Sequence, residues 1–273
     1  MSSPLVKNRR DLRQVLESNL LTETREDELE EIQGEEKPEE TRKRTKCQLI
    51  EANLPFSDFI SMRQEEFSFN ETEDSTLWNV LAHGVPVGFM DVGNSRLWIF
   101  HSIGSAVEMS GQIDTLVGND GSMVDLPWFP SSSLERIGRL GEDSAGFNLK
   151  YRNKFIGIAG ENKVEDMTMR FWGPAALDLI GELKNSRRMK GGLSLSGIGI
   201  MHRVETGYAK ETVASNGYIL AMRGDSIDSH FSIISKIQEN YLQLLNLLET
   251  EYRFSYKKEP CGSMRRSGSQ IQV

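Results

Sequence analysis

Residues 193–248 read LSLSGIGIMHRVETGYAKETVASNGYILAMRGDSIDSHFSIISKIQENYLQLLNLL, and this stretch contains both periods from which a mixed fold is built. Leu193, Leu195, Ile198 and Ile200, then Val213, Tyr218, Leu220 and Met222, read as long strands. They form an antiparallel pair whose turn falls either at Thr206-Gly207 or at Asn216-Gly217, the strongest hairpin dipeptide in the chain. At Gly224 the period changes. Ile227, Phe231, Ile234, Ile237, Tyr241, Leu244, Leu245 and Leu248 recur at three- and four-residue steps, and Ile233, Leu242 and Leu247 widen the stripe. A stripe this broad suits a helix laid on a sheet better than the narrow seam of a coiled coil.

Working back along the chain, Gly173-Pro174 opens a helix carrying Ala176, Leu177, Ile180 and Leu183, with Arg187, Arg188 and Lys190 at its negative end. Phe147, Leu149 and Tyr151 alternate as a half-buried strand does, and Phe155–Ala159 and Met167–Trp172 read as two more strands. Ser131 to Ser133 are candidate caps for a helix reaching Leu140. Ala106, Met109, Ile113, Leu116 and Val117 fit a helical period closed by Gly118-Asn119-Asp120-Gly121. Arg96 to Phe100 is a buried strand, and Leu77 to Ala82 is expected as a short helix ended by Gly84-Val85-Pro86.

Short hairpin links and few crossover helices predict an α+β fold. It is a mainly antiparallel sheet with helices packed on one face, a long C-terminal helix and a disordered N-terminal arm. The expected boundaries are a flexible charged arm over 1–46, a core over 47–256 and a flexible tail over 257–273. The core is either one body or two subdomains, 47–142 and 143–256. The arm has no aromatic residue, is dominated by Glu between Glu23 and Glu40, and ends in the basic cluster Arg42, Lys43 and Arg44. Such a composition is expected to bury too little apolar surface to fold. Inside it, Leu12, Val15, Leu16 and Leu20 fall at helical spacing behind Asp11, either a transient helix or a segment that docks on a partner.

The formal net charge of the 273-residue chain is −8, which argues against a nucleic-acid coating role while leaving room for a local basic patch. Two cysteines, Cys47 and Cys261, form neither a disulfide framework nor a zinc motif, so a reducing, intracellular, non-secreted setting is expected. No apolar leader and no run of about 18 apolar residues is present, so neither a signal peptide nor a transmembrane segment is expected.

Gly224-Asp225-Ser226-Ile227 follows an apolar run and opens a helix, and it resembles the nucleophile block of GDSL-type hydrolases. Gly118-Asn119-Asp120 is similar to another block of that family. The resemblance implies a serine hydrolase using Ser226. Here, however, the blocks stand in reverse order, and none of His83, His101, His202 or His230 follows an aspartate by three residues. Asp225 or Ser226 reads equally as the cap of the long helix. Gly191-Gly192 and Gly197-Ile198-Gly199 lack the lysine-hydroxyl ending of a phosphate loop and read as close-packed strand glycines. The histidines show no ligand spacing, and His101, ending an apolar strand, reads as a structural histidine. Neither a metal nor a cofactor is expected.

Trp128-Phe129 lies between Pro127 and Pro130, a stiff loop carrying two large rings. It is the candidate partner-binding element, with Arg42, Lys43 and Arg44 as a second contact. The sequence thus points to a non-enzymatic binding or regulatory protein acting through protein–protein contacts. The alternative is a matrix-like, self-associating protein that touches a membrane surface or nucleic acid.

Overall fold

In a computed structural model the described residues are 3–33, 42–118, 123–152, 166–173, 176–185, 193–251, 255–258 and 264–267. They divide into two units, 1–234 and 235–273.

The first unit is built on a sheet with strand order β2-β3-β4-β5-β1-β11-β10-β9-β7-β8, and the short β6 pairs with β1 off this path. Its strands are β1 (Lys46–Ala52), β2 (Phe67–Glu71), β3 (Leu77–Ala82), β4 (Val85–Asp91), β5 (Leu97–Ser102), β6 (Val124–Asp125), β7 (Asp143–Arg152), β8 (Asp166–Trp172), β9 (Leu193–Val204), β10 (Gly207–Ala214) and β11 (Tyr218–Gly224). Every neighbouring pair runs antiparallel. The helices are α1 (Arg9–Gln33), α2 (Phe56–Arg63), α3 (Ala106–Val117), α4 (Ser131–Gly138), α5 (Ala176–Asn185) and α6 (Ile227–Glu251), the last running on into the second unit. The α+β, antiparallel architecture is as the sequence indicates. In the second unit the hairpin β12 (Ser255–Lys258) and β13 (Met264–Ser267) follows α6.

Both candidate turns exist. β9 and β10 pair up to Val204 and Gly207, and β10 and β11 are joined through Asn216-Gly217, where Gly217 takes φ 79°. Helix α3 opens with a capping box. The Ser105 hydroxyl accepts from Glu108 N at 3.2 Å, and Ser105 N donates to the Glu108 carboxylate at 2.7 Å.

Four expectations need correction. Leu77–Ala82 is a strand, because His83 and Gly84 both adopt positive φ and close a two-residue hairpin between β3 and β4. Helix α4 starts after Pro130 with no side-chain cap, so Ser131 to Ser133 are not its caps. Helices lie on both sheet faces rather than one. Ile50, Val80, Trp98 and Phe100 pack with Phe59 of α2 and Met109 and Ile113 of α3. On the opposite face Leu77, Phe89 and Ala221 pack with Leu12, Leu16 and Leu20 of α1 and with Ile227.

The fourth concerns the arm. Its described residues 9–33 form a 25-residue helix that covers β11, with Leu12, Leu16 and Leu20 at most 1% exposed. Asn8 caps it by accepting from Arg10 N and Asp11 N at 3.0 and 3.1 Å, and Asp11 in turn accepts from Lys7 N at 3.0 Å. Residues 34–41, the strand expected over 155–159, and Gly191-Gly192 lie outside the described residues.

Candidate functional site

The proline-flanked loop separates its two rings. Trp128 is 71% exposed and Phe129 is 3% exposed. Phe129 N donates to Ser215 O at 2.7 Å, and Pro127 lies against Gly217, where an added Cβ would meet the proline ring at 3.0 Å. Phe129 is therefore the anchor that holds the loop on the β10–β11 turn, and Trp128 alone is presented to solvent.

The basic cluster is turned inward. Arg44 is buried and donates to Asp27 of α1 at 3.1 Å and to Met222 O at 2.9 Å, and Arg42 also pairs with Asp27. Arg223 approaches the same carboxylate at 3.5 Å. Asp27 itself is 3% exposed, so a charge from the Glu-rich run is neutralised within the fold. Of the three basic residues only Lys43 is exposed.

A second constellation was not visible as spacing. Cys47 on β1 and His101 on β5 are direct cross-strand partners. His230 descends from the second turn of α6, and Glu211 rises from β10 at a register shift that sets it opposite Ala221. All four are fully buried. Cys47, His101 and His230 each offer one ligand atom, and these three atoms lie within 4.8 Å of one another. His230 Nδ1 and Glu211 Oε1 are 2.8 Å apart. Both ring nitrogens of His101, His230 Nε2 and Glu211 Oε2 have no hydrogen-bond partner among the described residues. His101 is thus not the satisfied structural histidine that its strand position suggests.

Burial dominates the electrostatics of the cluster. It pushes the Cys47 thiol well up, and neighbouring Glu211 adds to that. It pushes His101 down to about 4, with Asp91 opposing. It raises Glu211 against the pull of His230. Desolvation therefore favours neutral forms at Cys47, His101 and Glu211, and a cation placed among them would reverse that preference for the thiol and the carboxyl.

A family model described as MJECL33-like protein matches residues 1–273. The chain belongs to this family. No curated protein and no solved structure matches it.

In this MJECL33-like chain the remaining motifs have structural partners. Ser226 is buried, its hydroxyl is 2.8 Å from Thr206 Oγ1 and accepts from Ser229 N at 3.4 Å at the start of α6, and Asp225 accepts from Tyr208 N at 2.7 Å. Asn119 and Asp120 of the other hydrolase-like block lie outside the described residues. Gly199 faces Gly146 in the interior of the sheet, where a Cβ would come within 3.0 Å of Gly146 N. His202 Nε2 is 3.1 Å from Ser232 Oγ, while Arg203 and Glu205 form the exposed side of β9 and its turn. Among the described residues no helix is long and apolar enough to cross a membrane.

The signal for the buried cluster was present, but as an exception within a pattern. Ala209, Glu211 and Val213 alternate inward along β10, so Glu211 occupies a core position. Ile227, His230, Phe231 and Ile234 follow the helical step, so His230 sits on the inner stripe of α6. A titratable residue at an apolar position of a strong period marks such a site.

Proposed function

We propose that this protein is a non-enzymatic binding protein that docks a folded protein partner through Trp128. The single observation behind the reading is the division of labour in the loop: an indole 71% exposed, next to a phenylalanine buried at 3%. An aromatic side chain carried on a backbone already held in place loses little backbone freedom on association, so its burial in a partner's apolar pocket goes largely into affinity. The net charge of −8 favours a pocket rimmed by basic side chains. Arg42 and Arg44 drop out of the contact because they serve Asp27, and Phe129 acts as support. The same pairing leaves the matrix-like alternative only Lys43 of the basic cluster. The reading also assigns the protein to a reducing intracellular compartment, where Cys47 stays out of disulfides.

The test is affinity capture with full-length protein and with Trp128→Ala, followed by titration of the purified partner. Trp128→Ala is expected to leave the thermal transition unchanged and to weaken binding at least about 30-fold, the loss of a hot spot of about 2 kcal/mol. The association rate should fall with added salt. Equal affinity of parent and variant for every captured protein would overturn the proposal.

A further inference from the structure

We infer that Cys47, His101 and His230 form a zinc-binding site, with Glu211 orienting His230 from behind. Three observations converge. First, the donor atoms come together from β1, β5 and α6 within 4.8 Å, at positions with no solvent exposure. Second, three of the buried atoms without a hydrogen-bond partner among the described residues belong to these groups: both nitrogens of His101, and Nε2 of His230. A buried polar atom without a partner is destabilising and uncommon, and here the two imidazoles that lack one flank the same thiol. Third, Glu211 Oε1 holds His230 Nδ1 at 2.8 Å. With Glu211 ionised beside a cation, that contact takes the proton on Nδ1 and leaves the Nε2 lone pair for a metal, the carboxylate–histidine arrangement that supports metal ligands elsewhere.

The donor set selects the ion. One thiolate and two imidazoles suit a borderline-soft cation and not Mg²⁺ or Ca²⁺, which take oxygen. Charge also balances. Zn²⁺ meets one negative charge on Cys47 once the thiol proton has left to solvent, and a second on the Glu211 carboxylate, so the buried assembly carries no net charge. Three protein ligands leave one tetrahedral position for water or another small ligand. With every donor at zero exposure, the ion enters as the fold closes, and its role is to tie strands to helix.

The experiment uses full-length protein, unfolded and refolded with Zn²⁺ or Co²⁺ under reducing conditions, and measures metal content and absorption. The parent is expected to retain about one metal ion per chain, and the cobalt form to show thiolate-to-metal charge transfer. Cys47→Ser should lose that band, and Glu211→Gln should bind 10- to 100-fold more weakly while keeping it. If Cys47→Ser does not fold, the parent's cobalt spectrum with Glu211→Gln decides the matter. A folded parent with no stoichiometric metal and no thiolate band overturns the inference, as does a Cys47→Ser protein with the parent's affinity. Neither readout involves Trp128, so this inference and the docking proposal stand or fall separately.

Discussion

Leu16→Ala tests most directly whether the charged N-terminal segment is part of the folded core. Leu16 is fully buried among Leu12, Leu20, Phe89 and Ala221, and its carbonyl accepts from the Thr45 hydroxyl at 3.0 Å. Truncation removes apolar burial equivalent to about 2 kcal/mol, and the unfilled space raises the loss to about 3–5 kcal/mol. In a chain of this size that corresponds to a fall in Tm of roughly 6–20 °C, at about 2–4 °C per kcal/mol. The matched control is Leu29→Ala on the same helix, where the side chain is 55% exposed and the change should stay within about 0.5 kcal/mol. Urea unfolding of parent and both variants, followed by circular dichroism, gives the comparison. If Leu16→Ala unfolds at the parent's midpoint, α1 does not contribute to the core and the account of that sheet face is wrong.

Two further outcomes follow from the polar contacts. Asp27→Asn removes the charge that Arg42 and Arg44 face in a site where Asp27 and Arg44 are each 3% exposed, and should lower stability by about 3–5 kcal/mol in urea, whereas Lys43→Ala on the exposed side should be silent. At α3, the Ser105 backbone and side-chain hydrogen bonds hold the Glu108 carboxyl below its usual value. The folded value is the lower one, so its contribution is fully present above the ordinary glutamate range, near pH 4.3, and is lost as pH falls below it. Glu108→Gln should therefore flatten part of the acid limb of stability against pH, and an unchanged limb would contradict the capping geometry.

The second half of the fold was legible because its strands and helix each keep one strong period. β10 alternates strictly, and α6 carries its apolar residues at helical steps. Errors came where a polar side chain does backbone work in the interior. Asn79 makes Leu77–Ala82 look unlike a core strand, yet it is buried because its amide pairs with both N and O of Val6 at 2.9 Å. Thr24 extends the inner stripe of α1 as a polar residue, bonded to Gly224 O and from Gly224 N at 3.0 Å. Asp27 ends the stripe as one half of a buried ion pair. With only Leu12, Val15, Leu16 and Leu20 apolar in register, the stripe is narrow, and composition outweighed periodicity. For the candidate sites, the Trp128 loop could be read from its prolines. The arginine cluster misled because nothing local says that a charge partner lies fifteen residues back in the same fold. The Cys47, His101 and His230 cluster is assembled only by topology.

That topology also connects the two sites. β1 is the seam of the sheet, paired with β5 on one side and β11 on the other, so it joins residues near the start of the chain to residues about 170 positions later. Closing such a contact is entropically demanding, and the pairing must be held by what surrounds it. Cys47 stands on this seam opposite His101. The adjoining Gln48 side chain donates to Asn216 O at 2.6 Å, and Leu49 N donates to Gly217 O at 3.1 Å. The same turn accepts Phe129 N through Ser215 O and packs against Pro127. The loop that presents Trp128 is thus fastened to β1 one and two residues beyond the buried thiol. A ligand that draws Cys47, His101 and His230 together would clamp the seam at its least forgiving point, and through Gln48 and Leu49 it would stiffen the platform on which the exposed indole stands.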